Sequence, residues 1–208
     1  MFNKMNDIIE NLDEKGMLII NMARREFAAN GFYNANMDKI AQDADVGKGT
    51  LYRRFVSKQI LFFVTLDVGF SNFMEKIKQI NMDANLEEQI NQYLEVSSKF
   101  FIKNSDLIRL FMHEQSKIME GVGEEVQPWV EKYHRNPTTF WTQVVDQLKT
   151  QGKLAKDIDT NETATIISNM LRALYSDLLM LRLQYDEEKL KKRNDYFKKI
   201  LMGGILNV

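Results

Sequence analysis

The stretch from Met37 to Lys58, MDKIAQDADVGKGTLYRRFVSK, constrains this chain more than any other. Met37, Ile40, Ala41 and Ala44 recur at i, i+3, i+4 and i+7, which lays one apolar stripe along a short helix. Asn36 stands at its N-cap, where a side-chain oxygen can take an orphan backbone N–H. Asp45-Val46-Gly47 then tolerates a sharp turn, and Val46 can plug the angle between two helices. A second helix is expected from about Lys48 to Phe55. Two short helices joined by so tight a turn form a helix-turn-helix, whose second helix can enter the major groove of DNA.

The second helix can be read by angle. At about 100° per residue, Leu51 and Phe55 fall together and face inward. Gly49, Thr50 and Arg53 lie broadly opposite, with Tyr52 and Arg54 on either side. Gly49 costs a helix about 1 kcal/mol relative to Ala, so close approach of a partner's backbone is a reason for it. Lys48, Arg53, Arg54 and Lys58 are unaccompanied by any acid between Gly47 and Lys58, an electropositive edge suited to phosphates.

These positions resemble the TetR-type transcriptional regulators. The resemblance runs from Phe27 through Gly31-Phe32 and Ile40-Ala41 to Gly49-Thr50-Leu51-Tyr52, Phe55, Ser57-Lys58 and Leu61. It implies that Lys48, Gly49, Thr50, Tyr52, Arg53, Arg54 and Lys58 face DNA, with Tyr52 and Lys58 on phosphates; Asn36 joins them in the candidate set. The chain departs from the family pattern at four places. Asp45 stands where Gly is usual, Gly47 where a capping Ser is usual, Arg54 where an aromatic or His is usual, and Ala35-Asn36 where a Thr pair is usual. The departures leave the fold reading intact and bear on which operator is read.

Bulk properties set the class. A chain of 208 residues can bury one sizeable core or two small ones. With two Pro and no β-branched run of period two, it reads as helical rather than sheet-forming. The net charge of −1 leaves any attraction to nucleic acid to the local basic edge, with Asp38, Asp43 and Asp45 close by. The absence of cysteine rules out disulfides and thiolate chemistry and suits a reducing compartment. No apolar run reaches the roughly 18 residues of a membrane span. The charged N-terminus lacks a secretion signal, so a cytoplasmic location is expected.

Along the chain, Ile8, Ile9 and Leu12 form a lead-in turn or fray. A helix from about Asp13 to Asn30 presents Leu18, Ile19, Met22, Ala23 and Phe27 on one side, and Gly31 supplies a left-handed C′ residue onto which Phe32 packs back. Arg24 and Arg25 read as solvated surface charges. Ser57 caps a helix running to about Ile80, and Asn85-x-x-Glu88 opens another to about Lys103. Ser105 or Asp106 starts one carrying Leu107, Ile108, Phe111 and Met112, after which Gly121, Gly123 and Pro128 break the chain. Pro137 suits the first turn of a helix holding Phe140, Trp141, Val144, Val145 and Leu148, ended by Gln151-Gly152. Asp159-x-x-Glu162 opens the most apolar helix, roughly Thr160–Tyr185, whose Ile166, Ile167, Met170, Leu171, Leu174, Leu178, Leu179 and Leu181 cover more than one stripe. A last helix, about Glu187–Met202, offers Leu190, Phe197, Ile200 and Leu201; its run Lys189, Lys191, Lys192, Arg193 reads as a solvated face. One core and one partner surface account for this pair, which points to a homodimer through a four-helix bundle.

Other chemistry has little support. Glu131-x-x-His134 has half the spacing of a di-metal carboxylate site, but the second histidine, His113, has Leu110 three residues before it. His113-Glu114 lacks the second His of a zinc-protease motif, and Gly47-Lys48-Gly49 lacks P-loop spacing. No metal, no cofactor and no enzymatic activity are expected. The middle of the chain is rich in aromatics and Met, and the candidate ligand-binding set is Phe111, His113, Glu114, Trp129, Tyr133, Phe140, Trp141, Met170, Arg172 and Tyr175. Ordinary core is the alternative for each of these singly; the family resemblance implies a pocket for a small hydrophobic effector.

The expected architecture is all-α: a three-helix helix-turn-helix DNA-binding domain over residues 1–58, then a helical effector-binding and dimerisation domain over 59–208. Such a chain would bind double-stranded DNA at a palindromic operator and leave it on binding ligand. A DNA-binding regulator answering to a protein partner instead, or a metal-dependent helical enzyme, are the competing readings.

Overall fold

Helices follow one another along the chain because apolar residues recur at helical spacing and caps punctuate the stretches between them. The computed structural model describes residues 1–110, 127–180 and 187–205, and only the backbone at 130, 133–137, 177–180 and 205. Among these there is no strand; the fold is all-α. The order is α1 (Phe2–Glu10), α2 (Glu14–Asn34), α3 (Met37–Asp43), α4 (Lys48–Phe55), α5 (Lys58–Lys78), α6 (Leu86–Lys103), α7 (helical over 105–110), α8 (Gln127–Thr150), α9 (Thr160–Met180) and α10 (Glu187–Ile200), with a π-helical turn at Leu201–Ile205. Of the expected features, Phe111, Met112, His113, Glu114, Gly121, Gly123, Leu181 and the side chains of Tyr133, His134, Leu178 and Leu179 lie outside what is described.

The chain forms two compact units, Met1–Asn72 with Asn104–Glu131, and Phe73–Lys103 with Lys132–Val208. In the first, Phe27 of α2 is fully buried and meets Phe62 of α5 edge-on at 5.1 Å. Leu51 and Phe55 of α4 join Ile19, Ile20, Ala23 and Ile40 in the same core. Trp129, also buried, packs on Phe63 and donates its indole N–H to the buried Asp67 at 3.0 Å.

Several details differ from the sequence expectations. The lead-in is a full helix, anchored by the buried Met5. The inner face of α2 is turned so that Ile20 is buried and Leu18 exposed, because adjacent apolar residues at 18–20 leave the facing edge to be chosen by packing. Gly31 does take a positive φ of 75°, but with ψ 173°, a region essentially reserved for glycine, and helical turns resume to Asn34. Arg24 is no free surface charge. Its guanidinium forks onto both oxygens of Asp106, at 2.9 and 2.5 Å, and reaches Asn104 Oδ1 at 3.1 Å. Burial alone would raise the Asp106 carboxyl; the Arg24 pair outweighs it and holds the group below the ordinary carboxylate value.

In the second unit the capping signals stand as read. Asn85 Oδ1 accepts from Glu88 N at 3.0 Å and Asp159 Oδ1 from Glu162 N at 2.8 Å. Gly152 at φ 71° closes α8, with Lys153 N bonded back to Leu148 O. The start of α8 does not follow the expectation: the helix begins at Gln127 and runs through Pro137. Pro128 sits in its first turn, where a missing N–H costs nothing. The loss of one internal bond at Pro137 is outweighed by the buried row Phe140, Trp141, Val144, Val145 and Leu148. Along α9 the chain buries Ala164, Ile167, Leu171 and Tyr175 and leaves Ile166 about half exposed, so one stripe of the two is covered.

Candidate nucleic-acid interface

The turn between α3 and α4 is built by backbone strain at one residue. Asn36 caps α3 through its side-chain oxygen, which accepts from Asp38 N at 2.9 Å and Lys39 N at 3.4 Å. Ala44 ends the helix, and Asp45 at φ 50° reverses the chain, a left-handed conformation that Asp tolerates better than most residues. Val46 N then bonds back to Ala41 O at 2.9 Å. Gly47 caps α4 in an extended conformation with no side-chain hydrogen bond, and a Cβ at Gly47 or Gly49 would meet nothing within 4 Å. The glycine at 49 is therefore not demanded by the protein's own packing.

Behind this turn lies a buried acid that sequence reasoning missed. Glu26 is 4% exposed. It accepts from Asn36 N at 3.0 Å, Lys39 Nζ at 3.0 Å and Asn30 Nδ2 at 2.8 Å, so it fixes α3 against α2. Burial pushes its carboxyl up, but these donors outweigh it and the net shift is downward. The signal available in the sequence was only an acid one residue before Phe27 on the apolar stripe.

With α3 and α2 so held, Leu51 and Phe55 point inward and Thr50, Tyr52 and Arg53 outward. The candidate cations are in different states. Lys48 pairs with Asp38 at 2.6 Å, Arg54 forks onto Asp13 at 2.7 and 2.8 Å, and Lys58 donates to Tyr33 O at 2.7 Å over the Phe32 ring. Arg53 is exposed and has no ion pair or hydrogen bond among the described residues. Among the candidates, it is the one left to seek an acceptor outside the protein. Asp13 has a double task, since the same carboxylate caps α2 through Gly16 N at 2.7 Å.

The C-terminal end of α4 is strained. Val56 sits at φ 60°, ψ −46°, and Ser57 N bonds to Phe55 O across it. This is a γ-turn at a β-branched residue, a conformation costing on the order of 1–3 kcal/mol. Ser57 Oγ then accepts from Ile60 N at 3.2 Å and starts α5, which runs unbroken to Lys78.

The sequence matches the profile described as bacterial regulatory proteins, tetR family, over residues 19–64, which contain this whole unit. Residues 19–64 are therefore a DNA-binding region of the tetR type. The chain is 23% identical to the HTH-type transcriptional regulator UidR of Escherichia coli K12 over 195 residues, which cover 90% of this chain and 91% of that protein. The fold is shared with the fatty acid degradation regulator FadR of Bacillus halodurans, at TM-score 0.73 and 21% identity over 90% of this chain and 98% of that one. It is also shared with the Bacillus subtilis regulator FadR solved in complex with stearoyl-CoA, at TM-score 0.74 and 17% identity over the same shares. Such proteins are regulators and not enzymes, and DNA binding is the family's activity.

The candidate ligand residues fall into separate places. Trp129 belongs to the first unit, with its N–H on Asp67. Phe140, Trp141, Met170, Arg172 and Tyr175 belong to the second. Phe140 stacks on Tyr93 at 4.6 Å and Trp141 meets the same ring at 4.9 Å. Tyr175 stacks on Phe101, lies 3.2 Å from Ser98 Oγ and donates to Asn194 Oδ1 at 2.8 Å. Burial pushes the Tyr175 hydroxyl up to about 12. Tyr93, Ser97, Ser98 and Asn194 were not foreseen; Tyr93 and Ser97, four apart on α6, were polar groups on a stripe of apolar ones. Among the described residues no group of acids and histidines could hold a metal, and no helix is long and apolar enough to cross a membrane.

Proposed function

We propose that this chain is a repressor that binds a palindromic operator as a homodimer and is released from it by a small hydrophobic ligand. Residues 1–58 read the DNA; residues 59–208 dimerise and bind the effector. The observation that carries the reading is Arg53, exposed and without a partner among the described residues, on the outer face of α4, flanked by the paired Lys48 and Arg54. On DNA, exposed pairs such as Lys48–Asp38 exchange one anion for another at small cost, whereas Arg53 is available for a bidentate contact to a guanine edge. A two-fold dimer places two such helices in successive major grooves, about 34 Å apart.

Apolar residues left uncovered on α9 and α10 support the dimer. Ile166 and Ile200 are 48% and 44% exposed and Tyr196 is 68% exposed. The stearoyl-CoA complex of the Bacillus subtilis relative supports a ligand-carrying body in this fold. Release requires that ligand favour a conformer whose recognition helices are wrongly spaced for the operator. Reciprocity then requires operator DNA to weaken ligand binding by the same factor. Calorimetry of an effector with and without operator tests this: equal affinities in the two titrations contradict ligand control, and a concentration-independent monomer in sedimentation contradicts the dimer.

A further inference from the structure

Arg54 stands on the recognition helix, yet its guanidinium is turned to the protein. Nη1 and Nη2 donate in parallel to the two oxygens of Asp13, at 2.7 and 2.8 Å, across 41 positions of sequence. The same carboxylate accepts from Gly16 N at 2.7 Å and so caps α2. A fork of this kind has a fixed geometry, which a single lysine contact lacks. Lys48 with Asp38 is the contrast: one ammonium on a carboxylate, both side chains 60% exposed. The Arg54 side chain is 31% exposed. Gly16 leaves room for the arrangement, since a Cβ there would stand 2.9 Å from Leu12 Cδ2 and 3.2 Å from Asp13 Oδ1. Helix dipoles add to it, with Asp13 at the N-terminal end of α2 and Arg54 in the last turn of α4.

The fork matters because α4 is short and has few directional holds. It has 8 residues, its N-cap Gly47 offers no side-chain hydrogen bond, and the chain is strained just beyond it at Val56. Leu51 and Phe55 anchor its inner face, but apolar burial is non-directional and leaves the rotation about the axis loosely set. Among the described residues, the other polar side-chain contact of α4 is the exposed Lys48–Asp38 pair. Arg53 is the next residue to Arg54, about 100° away around the helix. A small rotation of α4 therefore carries the Arg53 guanidinium off a base edge, where bidentate geometry is exacting. We propose that Arg54 is a positioning residue and not a phosphate contact: its fork on Asp13 persists on DNA and sets the rotation at which Arg53 meets a base. An arginine stands here in place of the usual aromatic or His, and Asp13 is the partner that turns it inward. The proposal rests on the reading that α4 binds DNA and that Arg53 reads it.

The test measures binding of the full chain to a DNA duplex that it has selected from a random pool, and to random DNA of equal length, over a series of salt concentrations. Asp13→Ser keeps an oxygen to cap α2 and removes the fork, Arg54→Lys keeps the charge and removes the fork, and Arg54→Ala removes both. All three should weaken binding to the selected duplex about fivefold or more and leave random DNA within about twofold. The slope of log affinity against log salt should stay at the wild-type value, and Asp13→Ser joined to Arg54→Ala should bind no more weakly than Arg54→Ala alone. A phosphate contact predicts otherwise: Asp13→Ser would release Arg54 and tighten binding, Arg54→Lys would bind as wild type, and Arg54→Ala would flatten the slope by about 0.9. Any of these, equal losses on both DNAs, or additive losses in the double variant would overturn the proposal. Should Asp13→Ser lose helicity, Arg54→Lys decides. If Arg53→Ala weakens the selected duplex and Arg54→Lys does not, the role of Arg54 fails alone. If Arg53→Ala binds that duplex as wild type does, or no duplex is selected, the DNA reading fails with it.

Discussion

The two polar regions of this molecule are built on opposite terms. Around the recognition helix the charges are mostly exposed and mostly paired: Lys48 with Asp38, Arg54 with Asp13, and Arg53 with none of the described residues. Around Tyr93 the polar groups are buried, and Ser97 Oγ and Trp141 Nε1 have no well-formed partner among the described residues beyond the neighbouring Tyr93 hydroxyl. The difference teaches what each surface can wait for. Exposed pairs cost little to hold and little to break, so a phosphate can replace the internal anion without a conformational step. A buried polar group that is poorly met is a standing cost, and deleting it need not lower stability.

Glu26 is the exception on the DNA side, a buried acid fully engaged by its neighbours, and it should give the largest effect on stability. Glu26→Ala leaves Asn36 N and Asn30 without their acceptor and should cost about 2–3 kcal/mol in denaturant unfolding. Because its carboxyl is lowered in the folded state, its contribution is complete above the ordinary carboxylate range and fades as pH falls through the lowered value. Glu26→Gln should remove that part of the acid dependence; an unchanged acid profile would show that the shift lies elsewhere. Val56→Gly should relax the γ-turn and stabilise the chain by about 1 kcal/mol, seen as a higher denaturation midpoint. A lower midpoint would mean that the Val56 side chain contributes more than its strain costs.

Smaller effects sharpen the contrast. Ser97→Ala deletes a poorly met buried hydroxyl, so it should be neutral or stabilising by about 0.5 kcal/mol, the opposite sign to Glu26→Ala. A loss near 2 kcal/mol would show that Ser97 is bonded in solution and would dissolve the comparison. Asp38→Asn frees Lys48, and the salt dependence of DNA binding should steepen by up to about one phosphate contact, read from the slope of log affinity against log salt. No change of slope would place Lys48 away from the backbone.

How far the sequence reached differs between the same regions. The recognition unit was legible almost residue by residue, because Leu51 and Phe55, the Asn36 cap and the Asp45 turn are local features with local causes. The caps at Asn85, Gly152 and Asp159 were legible for the same reason. Arg24 was not, since its partner Asp106 lies 82 residues away. Pro137 misled because burial of the α8 face outweighs one missing hydrogen bond. The buried donors could not be read at all: whether Trp141 finds an acceptor is decided by what α6 and α9 bring beside it, and no spacing encodes that.

The central claim is that Arg53 reads bases. The direct measurement is the affinity of wild type and Arg53→Ala for a selected operator and for random DNA of equal length, at one salt concentration. The account predicts a loss of about 1–3 kcal/mol on the operator and a much smaller one on random DNA. Equal losses on both would make Arg53 a phosphate contact, and no loss on either would contradict the interface.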